Sequence, residues 1–84
     1  MSLLNLATST QLREIRRHLK RHRWIDKYIA MAICDCDRLS ARIWDLRHDP
    51  VDPLDIETVY VEGKNRYGHY VRYARYHLRV GRKN

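Results

Sequence analysis

The stretch Cys36-Asp-Arg-Leu-Ser-Ala-Arg-Ile-Trp-Asp-Leu-Arg47 decides how this 84-residue chain is to be read. Leu39, Ile43 and Leu46 recur at i, i+4 and i+7, which is one stripe of a helix, and they leave Asp37, Ala41 and Trp44 facing away. Asp37 stands just before this rhythm, where a short side-chain oxygen suits the unpaired N–H groups of a first turn, so the helix is predicted over residues 37–47. A second helical pattern, Lys27 to Ile33 with Asp26 as its N-cap, lies immediately upstream, and only Cys34-Asp35-Cys36 separate the two. So short a connection makes the helices cross steeply, as in a helix-turn-helix. In that motif the second helix enters the major groove and its early exposed residues meet base edges.

Working outward, 84 residues suffice for one domain with a single modest core. Hydrophobic residues make up 44%, which is globular rather than disordered composition. Seventeen Lys+Arg against ten Asp+Glu give a formal charge of +7, so a polyanionic partner is expected. No apolar run approaches the roughly 20 residues of a membrane span. Met1–Ala7 lacks the basic and apolar regions of a signal peptide, so a cytoplasmic location is expected. Cys34 and Cys36 are too close together to staple distant elements. A zinc site there would need two more ligands, with His48 the nearest histidine, so no metal and no cofactor is expected.

Leu12, Ile15 and Leu19 mark a first amphipathic helix, with Thr8 or Thr10 as its cap and Gln11 completing a capping box with Thr8. Arg13, Arg16, Arg17, Lys20 and Arg21 crowd its outer face and are candidates for phosphate contact. Downstream of Arg47, the prolines Pro50 and Pro53 define a connector whose acids, Asp49, Asp52 and Asp55, read as solvated loop residues. From Ile56 the period changes to two. Ile56–Val61 and Tyr70–Leu78 read as the two strands of a hairpin around a turn containing Gly63, Asn65 and Gly68. The predicted architecture is therefore mainly α with a C-terminal β-hairpin: a winged helix-turn-helix of three helices and a two-stranded wing. Residues 10–78 would form the domain, after an extension over 1–9 and before a basic tail over 79–84.

The stretch Arg38-Leu-Ser-Ala-Arg-Ile-Trp-Asp-Leu46, with Ile56-Glu-Thr, the Lys64-Asn-Arg-Tyr-Gly turn and Tyr73-Ala-Arg-Tyr-His-Leu78, resembles the small helix-turn-helix domain proteins of bacteriophage and prophage genomes. The likeness runs from about Gln11 to Leu78 and is most specific in Arg38–Leu46. It implies a winged helix-turn-helix fold and a DNA-binding or regulatory role. The connector after Arg47 departs from the family pattern, being longer and carrying prolines and acids.

Double-stranded DNA is thus the expected partner. Arg38, Ser40, Ala41 and Trp44 would face the groove, Arg38 toward guanine acceptors and the apolar groups toward thymine methyls. Arg42 and Arg47 would flank them, on phosphate or on an acid of the same helix such as Asp45. Lys64, Asn65, Arg66 and His69 in the 62–70 wing, with Arg72, would reach phosphates or an adjacent minor groove. The charge is uneven, however. Residues 1–34 hold seven Lys+Arg and two Asp+Glu, net +5; residues 35–62 hold three and eight, net −5; residues 63–84 hold seven and none, net +7. Trp44, the surplus apolar residues of the second helix and the acidic middle segment keep one alternative open, a phage effector that binds and inhibits a host protein or defence complex through this fold; within the DNA reading, an excisionase-like architectural DNA-binding protein is open too. A homodimer is open as well. No Ser-His-Asp order or glycine-rich phosphate loop occurs, so no enzyme is expected.

Overall fold

The computed structural model describes residues 3–79. In chain order they form α1 (Leu3–His22), β1 (Trp24–Asp26), α2 (Lys27–Cys34), α3 (Leu39–Arg47), β2 (Ile56–Lys64) and β3 (Tyr70–Leu78). The expected three helices and C-terminal hairpin are present. What the sequence pattern did not reveal is β1, which makes the sheet three-stranded in the order β1-β3-β2.

Helix α1 runs 20 residues and passes through Thr8 and Thr10, so neither is its cap. Leu3, Leu4, Leu6 and Ala7 are good helix formers that extend it upstream. It ends where Arg23 takes a positive φ of 76° and its N–H reaches the Leu19 carbonyl at 2.8 Å. That left-handed residue swings the chain into β1, which pairs antiparallel with β3 through Trp24↔His77, Ile25↔Tyr76 and Asp26↔Arg75. Three residues carry no readable period, so their strand character comes from β3 alone.

Asp26 then ends β1 and caps α2, its side chain accepting from the backbone N–H groups of Tyr28 and Ile29, both at 3.0 Å. Because Asp26 is buried, no water replaces those bonds. Asp26→Ala is expected to lower stability by about 1–2 kcal/mol, with Asn, which keeps an acceptor, losing less. Thermal unfolding followed by circular dichroism measures both, and equal losses for Ala and Asn would remove the capping explanation.

Helix α2 stops at Cys34 because Asp35 is left-handed (φ 51°, ψ 35°), a conformation a short polar side chain tolerates better than most. The N–H groups of Asp35 and Cys36 fold back on the carbonyls of Met31 and Ala30. Cys36 is thereby driven into the core. Helix α3 starts later than predicted: Ala41 and Arg42 donate to the Arg38 carbonyl, so Arg38 is the N-cap residue and Asp37, exposed and outside the helix, caps nothing. Burial of Leu39 sets this start. The core gathers Ile15 and Leu19 of α1, Ile25, Ala30, Cys36, the stripe Leu39, Ile43 and Leu46, and Leu54 and Ile56. Leu54 anchors the connector, its N–H donating to the Leu46 carbonyl at 3.0 Å.

Candidate nucleic-acid interface

With Leu39, Ile43 and Leu46 buried against α1, the opposite side of α3 is presented to solvent. Trp44 is exposed there, as the helical spacing predicts, and Ser40 is exposed beside it; Ala41, expected to face away, is half-buried. Trp44 is 59% exposed, and His48, not anticipated from the sequence, stacks on it at 4.1 Å between ring centroids. The His48 Nδ1 sits 2.8 Å from the Trp44 carbonyl, which holds the two rings as one flat plate. Its signal was the i, i+4 spacing from Trp44, hidden because the apolar stripe ends at Leu46.

The other two arginines of α3 turn inward. Arg42 pairs with Asp45 at 3.2 Å and donates to the Thr8 hydroxyl at 3.3 Å, toward α1. Arg47 reaches the other way: its Nε and Nη2 donate to the Ile56 carbonyl at 3.0 and 2.7 Å, and Nη2 also donates to the Thr58 hydroxyl at 2.8 Å. Arg47 thus clamps the end of α3 to the start of β2. Arg38 alone among the arginines of this segment is exposed with no hydrogen bond or ion pair among the described residues.

Strand parity carries this surface onto the wing. The register Thr58↔Tyr76, Tyr60↔Ala74, Glu62↔Arg72 and Lys64↔Tyr70 places all eight residues on one face of the sheet. Its inner end, Thr58 and Tyr76, meets Arg47 and the core. Its outer end therefore continues on the same side as the start of α3. An open cleft joins them, lined by Lys27, Asp37, Arg38, Ser40, Ala74 and Tyr76. Tyr60 and Tyr70 are 61% and 79% exposed, with the Arg72 guanidinium 4.9 Å over the Tyr60 ring and the Lys64 ammonium 5.1 Å over that of Tyr70. Tyr60 was also missed from the sequence, although its place four residues after Ile56, on the same side of a two-residue alternation, was the signal.

At the tip, Gly68 has φ 82° and the Asn65 side-chain oxygen accepts from the N–H groups of Tyr67 and His69. Asn65 therefore shapes the turn, and it presents Arg66, Tyr67 and His69 to solvent. The reverse face of the hairpin is used for packing: Tyr73 meets Tyr28 edge-on at 5.3 Å, and the Arg75 guanidinium lies 4.3 Å over Trp24.

The acidic middle of the chain turns out to be largely neutralised away from this face. Arg16 bridges Asp49 and Asp52, both at 2.8 Å, and Lys20 joins Asp52 at 3.2 Å. Asp49 and Asp52 are thus ion-paired with α1 rather than simply solvated, while Asp55 stays exposed, 3.9 Å from Arg79. Asp49 also accepts from the backbone N–H groups of Val51 and Asp52. These two bonds, with Arg16 beside it, hold its carboxyl below the usual carboxylate range. Of the five α1 candidates, Arg16 and Lys20 are consequently occupied, while Arg13, Arg17 and Arg21 remain exposed.

Cys34 is half-buried, its thiol donating to the Ala30 carbonyl at 3.4 Å, and burial pushes it up from its ordinary pKa. No group of three or more His, Cys, Asp or Glu among the described residues is placed to hold a metal ion. No described helix is long and apolar enough to cross a membrane.

Three helices with a tight connection between the second and third, a three-stranded sheet and a projecting hairpin define a winged helix, a DNA-binding fold that is typically not enzymatic. The chain belongs to the winged helix-turn-helix domain family, whose model matches residues 10–81. No curated protein and no solved structure matches the chain.

Proposed function

We propose that this protein is a sequence-preferring binder of double-stranded DNA, a transcriptional regulator of phage or prophage type. In this proposal α3 reads the major groove and the β2–β3 wing grips the backbone. The observation that carries it is the open cleft in which Arg38 and Ser40 meet Ala74 and Tyr76, on the sheet face that farther out bears Lys64, Tyr70 and Arg72. The phage or prophage setting rests on the likeness of Arg38–Leu46 alone. Arg38 supplies a fork for guanine N7 and O6, and Arg66 and Lys64 supply charge for phosphates. The α3 surface beyond Arg38 is nearly uncharged, so most of its discrimination would come from apolar contact with thymine methyl groups.

Titration against random duplex and against DNA from upstream of the protein's own gene, at two salt concentrations, tests the proposal. Selective binding with a steep salt slope is expected. Weak binding without preference would shift the weight to a protein partner, a second reading favoured by Tyr28, Met31 and Ile33, which stand exposed on α2. Replacing thymine with deoxyuridine in the preferred site deletes the methyl groups and leaves every hydrogen bond. Affinity is expected to fall about fourfold per methyl contacted, from about 0.8 kcal/mol each. Trp44→Ala should erase that difference; a variant that still distinguishes the two bases would place the methyl contact elsewhere.

A further inference from the structure

Helix α1 carries a second cationic surface, one that the α3 and wing face leaves unused. Arg13, Arg17 and Arg21 follow one another at i, i+4 and i+8. At about 100° per residue, Arg17 stands diametrically opposite the buried pair Ile15 and Leu19. Those two pack toward the buried stripe of α3, so the arginine row points away from Ser40 and Trp44. Arg13 and Arg17 have side chains 72% and 74% exposed, and both share the single carboxylate of Glu14 at long range, 4.0 and 3.8 Å. Arg21 has no acidic partner within 4.0 Å among the described residues. The neighbouring Arg16 and Lys20, by contrast, are tied to the connector. Arg16 and Lys20 are paired across the fold, whereas Arg13, Arg17 and Arg21 meet at most Glu14 at long range and stand in a row about 6 Å apart along the helix.

We infer that this row binds the backbone of a second DNA duplex, so that one protein molecule bridges two DNA segments. The inference rests on the DNA-binding reading of the opposite face. The occupant follows from charge: three arginines with one shared carboxylate, net +2, on a chain of net charge +7, complement a continuous polyanion, and a duplex already seated against α3 lies on the far side of the helical core. Backbone contact of this kind is indifferent to sequence.

The test holds a biotinylated duplex on beads and measures capture of a second, fluorescent random-sequence duplex by the protein, at concentrations where sedimentation finds a monomer. A mobility shift on one duplex is measured in parallel. Wild type should shift the single duplex and capture the second. Arg13→Ala/Arg17→Ala/Arg21→Ala, which substitutes the best helix former at exposed sites, should lose capture at least tenfold more than it loses single-duplex affinity. Glu14→Gln, by freeing Arg13 and Arg17, should raise capture severalfold. A wild type that shifts one duplex but captures no second, or a triple variant that captures normally, overturns bridging and leaves the DNA reading standing. Absence of any shift sinks both.

Discussion

Arg38→Asn is expected to weaken binding to the preferred duplex by about 1–3 kcal/mol, roughly five- to 150-fold, and to relax its sequence preference, without loss of stability. Arg38 occupies the N-cap of α3 with φ −123° and ψ 56° and makes no side-chain bond there. A cation at a helix N-terminus is opposed by the macrodipole, and Asn is among the best residues at that position, so nothing in folding requires arginine. The melting temperature should be unchanged or higher. Fluorescence anisotropy against matched and scrambled duplexes, beside a thermal melt, separates the two effects. A variant that melts several degrees lower and keeps its preference would make Arg38 a structural residue and move base recognition off the start of α3. Arg66→Ala provides the contrast: exposed on the turn, it should weaken all sequences alike.

Arg47→Met should cost about 2–3 kcal/mol of stability, a fall in melting temperature on the order of 10–20 °C for a domain this small. The guanidinium makes three hydrogen bonds, two to the Ile56 carbonyl and one to the Thr58 hydroxyl, from a half-buried position. Methionine fills much of the space but abandons the carbonyl, whose desolvation is no longer compensated. Lysine should recover little, because it keeps the charge and loses the planar fork that meets both acceptors. If Arg47 served chiefly as a phosphate contact the pattern would invert: Lys would bind almost normally, and Met would lose affinity with an unaltered melt. Those two melts and two titrations decide between the roles.

Much of the fold was legible because it is written in local periods. Leu39, Ile43 and Leu46 declared a helix and its buried side, Asp26 declared a cap, and the two-residue alternation of Tyr70–Leu78 declared a strand with its observed limits. Short-range signals failed where two were in competition. Asp37 and Thr8 both have the chemistry of caps, yet the first lies outside its helix and the second inside. For Asp37 the outcome depended on the burial of Leu39, and for Thr8 on the good helix formers that carry α1 upstream past it.

The candidate interface was legible in its residue types and less so in their assignment. Arg38, Ser40 and Trp44 were placed outward by helical geometry, and the structure leaves them exposed. Arg16 and Arg42 look like the other arginines in sequence, but each has a distant partner: Arg16 meets Asp49 and Asp52 some 33 and 36 residues away, and Arg42 meets Thr8 across 34. No window of sequence contains such a pair.

By itself, then, the sequence determined the helical and strand periods, the Asp26 cap, the outward face of α3 and a net charge that calls for a polyanion. Tertiary structure alone decided that Trp24–Asp26 is a strand, because only β3 offers it hydrogen-bond partners. It also decided which cations are paired within the fold and which stand exposed. A guanidinium is held by the acceptors that the fold brings within about 3 Å of it, and those acceptors are set by packing rather than by proximity along the chain.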